Sequence, residues 1–320
     1  MKKLLLSILA IATMASCTKD DVTSLNRKAI AFSGSHVDNT CKSAIDGSYS
    51  GTKKLTSFKV YGTVSGNNNT VNIYEGADVV GEIGDDVWAC TVEQYWIPNC
   101  TYKFYAIADA TSVSPAGMPT TITYNENTTA NGDLLLAIVD ETTNAQAVPS
   151  KGNPVQFTFT HLLSKAKFTF KKNAYKNTRY TYAIKNIKIA DVYKQGTYTI
   201  SSGTWGGQSV EGELFFGIAE SDITTANATS GVESSVERQF VPATYSTSNP
   251  LTISFDVVMM LDGKEISSVN QTKTFPKEGE YTFAKTTSYN FEVILGDNNL
   301  ITFTVKELQG WDSKTDISIP

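Results

Sequence analysis

Two histidines (His36 and His161) and three arginines (Arg27, Arg179 and Arg238) are all that the 320-residue chain contains. Chemistry that runs on several histidines is therefore excluded, and the expectation is a protein that is not an enzyme and needs no cofactor. Basic residues number 27 against 32 acidic ones, a net charge of -5. A nucleic-acid partner is excluded, because such binding needs a basic face that displaces counterions. Charged residues make up only 18% of the chain, below the usual ~25%. With 22 glycines and 9 prolines, a collagen-like or disordered chain is excluded as well. No uninterrupted apolar run approaches the ~18 residues that a membrane-spanning helix needs. Cysteine is scarce too: Cys17, Cys41, Cys90 and Cys100. None belongs to a Cys/His cluster with zinc-ligand spacing, so no metal is expected. Cys90 and Cys100 either bridge across a hairpin or stay apart as small apolar thiols.

What is present begins with a targeting segment. Lys2 and Lys3 precede an apolar stretch from Leu4 to Ala15, too short to cross a ~30 Å hydrocarbon core, and Ser16-Cys17 follows. A positive start, a brief apolar centre and small residues before position 17 make a signal peptide over residues 1–16. Met14-Ala15-Ser16-Cys17 looks like a bacterial lipobox, in which Cys17 is acylated by palmitate-type chains and becomes the first residue. Two or three acyl chains hold a protein on a membrane stably, so an outer-membrane anchor and a cell-surface location are expected. Lys19-Asp20-Asp21 resembles the surface-export signal of Bacteroidetes lipoproteins. Residues 17–28 then read as a tether or pro-segment.

The missing charge is replaced by Thr, Ser, Asn, Tyr and Phe, which suit pleated, half-buried surfaces. Apolar residues recur with period two nearly everywhere, as in Phe58–Val64, Tyr102–Ile107, Val155–Phe159, Ala166–Phe170, Ile184–Ile189, Leu251–Met260, Tyr289–Leu295 and Leu300–Val305. Gly66 to Asn69 reads as a hairpin loop. Leu134 to Val139 is a continuous apolar run, consistent with a strand buried on both faces. His161-Leu162-Leu163-Ser164 reads as a turn or a short helix. Turn signals every 8–15 residues between a dozen or more strands point to an all-β chain of antiparallel sandwiches. The polar stretch Glu141 to Asn153, with Pro149 and Gly152, is a linker candidate. It divides residues 29–148, an N-terminal sandwich, from residues 149–320, a C-terminal one.

Other constellations carry less. His161 has no nucleophile signature near it and is expected to hydrogen-bond locally; no Gly-x-Ser-x-Gly occurs. Asp85-Asp86 and Asp297 to Asn299 lack calcium-loop spacing and read as turn residues. Trp88, Trp96, Trp205 and Trp311 either line a sugar-stacking platform or pack in cores. The first of these options defines an alternative function, a surface glycan-binding lipoprotein.

Val155-Gln-Phe-Thr-Phe-Thr-His161-Leu-Leu-Ser-Lys165-Ala-Lys-Phe-Thr-Phe170 resembles a signature of the fimbrillin family, the type V pilins of Bacteroidetes. The C-terminal order is similar to that family too: a strand from Leu300 to Val305, a linker with Trp311, and a final alternating Thr315-Asp-Ile317-Ser-Ile319. So is the head: Cys17, then Ala29-Ile-Ala-Phe32-Ser as a first short strand. The resemblance implies two tandem transthyretin-like β-sandwiches and a structural pilus subunit that supports adhesion. It also implies a lipid-anchored precursor cut by a trypsin-like protease, which assembles with other pilin subunits by strand exchange. Arg27, the only arginine before position 179, is the candidate processing site, with Lys42 and Lys53-Lys54 as later ones. Ile317 and Ile319, apolar at alternate positions near the C-terminus, are the candidate donor strand; a last edge strand of their own domain is the other use.

Overall fold

The computed structural model describes residues 28–37, 55–82, 85–126, 132–172, 179–296, 301–308 and 316–318. The chain is all-β, and no helix occurs among the described residues. One seven-stranded sheet has the order β1 (Phe32–Val37), β9 (Val155–His161), β8 (Leu135–Thr142), β5 (Thr101–Ala108), β2 (Ser57–Gly66), β3 (Asn69–Val80) and β4 (Ala89–Cys90). A second sheet runs β13 (Val232–Glu233), β10 (Ser164–Lys172), β19 (Thr287–Leu295), β20 (Ile301–Leu308) and β21 (Asp316–Ser318), with β14 (Arg238–Phe240) also on β10. A third runs β17 (Lys264–Phe275), β16 (Leu251–Leu261), β11 (Tyr180–Thr199), β7 (Thr121–Asn125) and β6 (Ser112–Ser114), with β12 (Thr204–Gly217) on β11. The short strands β15 (Thr244–Ser246) and β18 (Glu280–Thr282) pair with each other. Among the described strands, pairing is antiparallel except for β1 with β9 and β10 with β19, which are parallel.

Alternation explains which faces are buried. In β9, Val155, Phe157 and Phe159 point into the core while Gln156 and Thr158 are exposed. The second and third sheets close over one core, which includes Phe168, Phe170 and Phe291 from one sheet and Ile189, Phe216 and Phe255 from the other. The seven-stranded sheet curls around its own core, built on Phe32, Phe58, Tyr74, Phe104 and Phe157. A third cluster joins the two bodies: Tyr61, Tyr105 and Leu136 meet Tyr124, Leu162, Leu163, Tyr198 and Val241. Strands cross the expected division at 148/149 in both directions. β9 lies after it but pairs with β8, and β7 lies before it but pairs with β11.

Several local expectations need correction. His161–Ser164 is not a short helix: β9 ends at His161, β10 begins at Ser164, and both leucines between them are buried. The chain there steps from one sheet to the next, and the leucines fill the seam between bodies. Leu134–Val139 is not buried on both faces throughout, since Ile138 is exposed where β8 leaves the core. Glu141–Asn153 starts on the last residues of β8 and continues as a bonded loop. The Asn144 Oδ1 accepts from the backbone N–H groups of Gln146 and Val148, and the Glu141 carboxylate accepts from Ser150 Oγ and Lys151 N–H. The 67–68 turn is a two-residue hairpin with both asparagines at positive φ, 50° and 64°.

Glu292 on β19 ties three strands together. Its carboxylate accepts from Lys171 Nζ of β10 at 2.6 Å and Lys306 Nζ of β20 at 3.1 Å. Burial raises its pKa, but the hydrogen bonds and charges of the two lysines outweigh that and hold it below the ordinary glutamate value. A depressed folded-state pKa contributes stability that is present above the unfolded value of about 4.3 and is lost as pH falls through the folded one. Urea midpoints measured from pH 7 to pH 3 are therefore expected to show Glu292→Gln less stable than the parent at neutral pH. The difference should vanish in acid; a gap that is constant with pH would contradict the assignment.

Candidate functional site

The residues that lead into β1 lie in a slot. Ile30 and Phe32, two positions apart, both point inward and are buried, as an extended segment requires. The Phe32 ring lies 5.3 Å from Tyr74, 5.7 Å from Phe104 and 5.7 Å from Phe157, centroid to centroid. On one side the segment is laced to residues 88–96: Trp88 N–H donates to Phe32 C=O at 2.8 Å, Ile30 N–H to Gln94 C=O at 2.8 Å, and Trp96 N–H to Lys28 C=O at 3.1 Å. On the other side Val155 N–H donates to Ala31 C=O at 2.8 Å, and the parallel ladder with β9 continues from Phe32. Because residues 88–96 span and follow β4 on the far margin of the same sheet, this segment shuts the sheet on itself. Gly81 makes room for the wall: a Cβ there would lie 2.4 Å from the Trp88 ring.

One side chain also takes part. Asn153 Oδ1 accepts from Ala31 N–H at 2.8 Å, and its Nδ2 donates to Ala29 C=O at 3.0 Å. The amide thus occupies the place of a neighbouring peptide group just before β9 begins. In the sequence, Asn153 reads only as the end of a linker. The Asn-Pro pair marks a turn or an extended entry, but nothing local says which backbone the amide meets.

The predicted site residues fall as follows. Cys17, Arg27, Lys42, Lys53, Lys54, Ile319 and Trp311 lie outside the described residues. Ile317 lies in β21, which pairs with β20 of its own chain, opposite Glu307. His161 is fully buried, and its Nδ1 lies 2.8 Å from Asp133 Oδ2, itself fully buried. Trp88 and Trp96 are buried in the slot wall. Trp205 is half-buried, and its Nε1 donates to Leu162 C=O at 2.8 Å. These three tryptophans pack within the fold, Trp205 only in part. Cys90 and Cys100 are free, half-buried thiols, and burial pushes both up from the ordinary thiol range. Among the described residues no group of three or more metal-ligand side chains occurs.

A family described as fimbrillin-like matches residues 47–311. No curated protein matches the chain. Among solved structures, a fimbrial protein of Bacteroides vulgatus is 18% identical with a TM-score of 0.51, over 79% of this chain and 92% of that one. A candidate cell adhesion protein of Bacteroides ovatus is 14% identical with a TM-score of 0.53, over 90% of this chain and 99% of that one.

Proposed function

Because the chain belongs to the fimbrillin-like family, we propose that it is a structural pilus subunit, acting in adhesion at the cell surface, which polymerises by exchanging its first strand for a strand of a neighbour. The observation that carries this reading is the slot of residues 28–33. The segment in it precedes the first long strand, closes a sheet, fills an aromatic pocket with Phe32, and is held mainly by main-chain bonds. Loss of such a segment leaves unpaired N–H and C=O groups above an apolar trough, which an extended partner strand restores. A contact of that kind between unlike surfaces does not close, so it builds a filament. The signal peptide and Cys17 support a lipid-anchored precursor at the outer membrane.

Processing by a trypsin-like protease completes the scheme. A cut after Arg27 leaves the segment in place and covalently joined to β2, whereas a cut at Lys42, Lys53 or Lys54 lies between β1 and β2 and detaches it. Limited trypsin treatment is expected to yield SDS-resistant oligomers, with N-terminal sequencing placing the productive cut after Val37. Cleavage there without oligomers would count against the polymerising role.

A further inference from the structure

We propose that Asn153 is a main-chain clamp that positions whichever extended segment occupies the slot. Before exchange it holds residues 29–31 of its own chain. The contact uses no side chain of the occupant: Oδ1 takes the N–H of Ala31 and Nδ2 reaches the C=O of Ala29, two residues apart on one strand edge. A carboxylate or an alkyl group cannot give both bonds, because the clamp needs one acceptor and one donor side by side. It therefore fixes register and leaves selection to the inward positions on either side, those of Ile30 and Phe32.

The candidate donor that the fimbrillin resemblance implies, in a second copy of the chain, can be set in register on this clamp, a step that rests on the polymerising role proposed above. The slot asks for a large apolar residue, a small one, then a second large apolar one, running parallel to β9. Ile30-Ala31-Phe32-Ser33 has that order, and so does Ile317-Ser318-Ile319-Pro320. In that register Ile317 takes the Ile30 position and Ile319 the Phe32 position, and Asn153 holds Asp316 C=O and Ser318 N–H. These residues fill the clamped half of the slot.

The test uses the full chain and Asn153→Ala, with amide hydrogen exchange read at Ala31 and at β2 and β5 as a folding control. Loss of the clamp is expected to raise exchange at Ala31 roughly ten-fold or more, with β2 and β5 unchanged. Asn153→Asp, which keeps the acceptor and loses the donor, should fall between. Unchanged exchange at Ala31 in Asn153→Ala overturns the clamp. A labelled peptide of residues 313–320 is then offered to trypsin-treated protein. Capture by the parent and loss of capture by Asn153→Ala supports the second half, with an Ile317→Asp peptide as control. Equal capture by both proteins overturns the clamp's role on the donor. No capture by the parent, together with faster exchange at Ala31 in the variant, sinks the tail-donation reading and leaves the clamp on the chain's own strand standing.

Discussion

Phe32→Ala is expected to cost the N-terminal body about 3–5 kcal/mol, the range for truncating a buried phenylalanine. The ring is wholly buried and meets three aromatic neighbours, so no single side chain is placed to collapse into the space. The loss should appear first as release of the strand. The bonds that remain to the segment are main-chain bonds and the Asn153 amide, and a main-chain hydrogen bond contributes only about 0.5–1.5 kcal/mol net. Amides of Ile30 and Trp88 are expected to lose protection before those of β2, β5 and β8. Urea unfolding followed by tryptophan fluorescence, which reports on Trp88 and Trp96 in the slot wall, should show the lower midpoint. Loss of protection across the whole sheet at once would mean that the strand is an inseparable part of the body rather than an exchangeable one. If exchange limits assembly, the same variant should form trypsin-triggered oligomers faster than the parent.

The first short strand, Ala29 to Ser33, was expected from the resemblance to the fimbrillin family, and the regular strand in the structure runs Phe32–Val37. Its neighbours were not legible. Periodicity assigns a face to each residue but no partner to the strand, and β1 pairs in parallel with β9, which is remote in sequence. The same limit explains why β9 and β7 fall on unexpected sides of 148/149. The 67–68 hairpin was readable since paired asparagines tolerate positive φ. The Glu141–Asn153 stretch misled for the opposite reason: polarity without periodicity looks like a linker, yet its polar groups bond one another and the slot. His161-Leu162-Leu163 is too short for any period, so only the sheets on either side decide that it is a crossing.

That crossing is the place where one substitution should separate the two bodies. Asp133 and His161 are both fully buried, with Oδ2 and Nδ1 2.8 Å apart, and His161 closes β9 opposite Leu135. The next residues belong to both sides at once. Leu162 N–H donates to Leu134 C=O at 2.9 Å, while Trp205 Nε1 donates to Leu162 C=O at 2.8 Å. Thr286 Oγ1 donates to His161 C=O at 2.6 Å, and Thr286 N–H to Leu163 C=O at 2.9 Å. Removing one member of a buried polar pair takes that partner from the other, and losing a buried hydrogen-bonding partner costs about 1–3 kcal/mol. Asp133→Ala is expected to show a loss of that order and to split one urea transition into two, because the anchor of the crossing is weakened. Replacing both members by apolar residues, Asp133→Val with His161→Leu, removes both polar groups together. The double variant should therefore be more stable than the sum of its single changes predicts, a coupling that a double-mutant cycle measures directly. Simple additivity, with a single transition retained in Asp133→Ala, would show that the contact between these two side chains does not hold the bodies together.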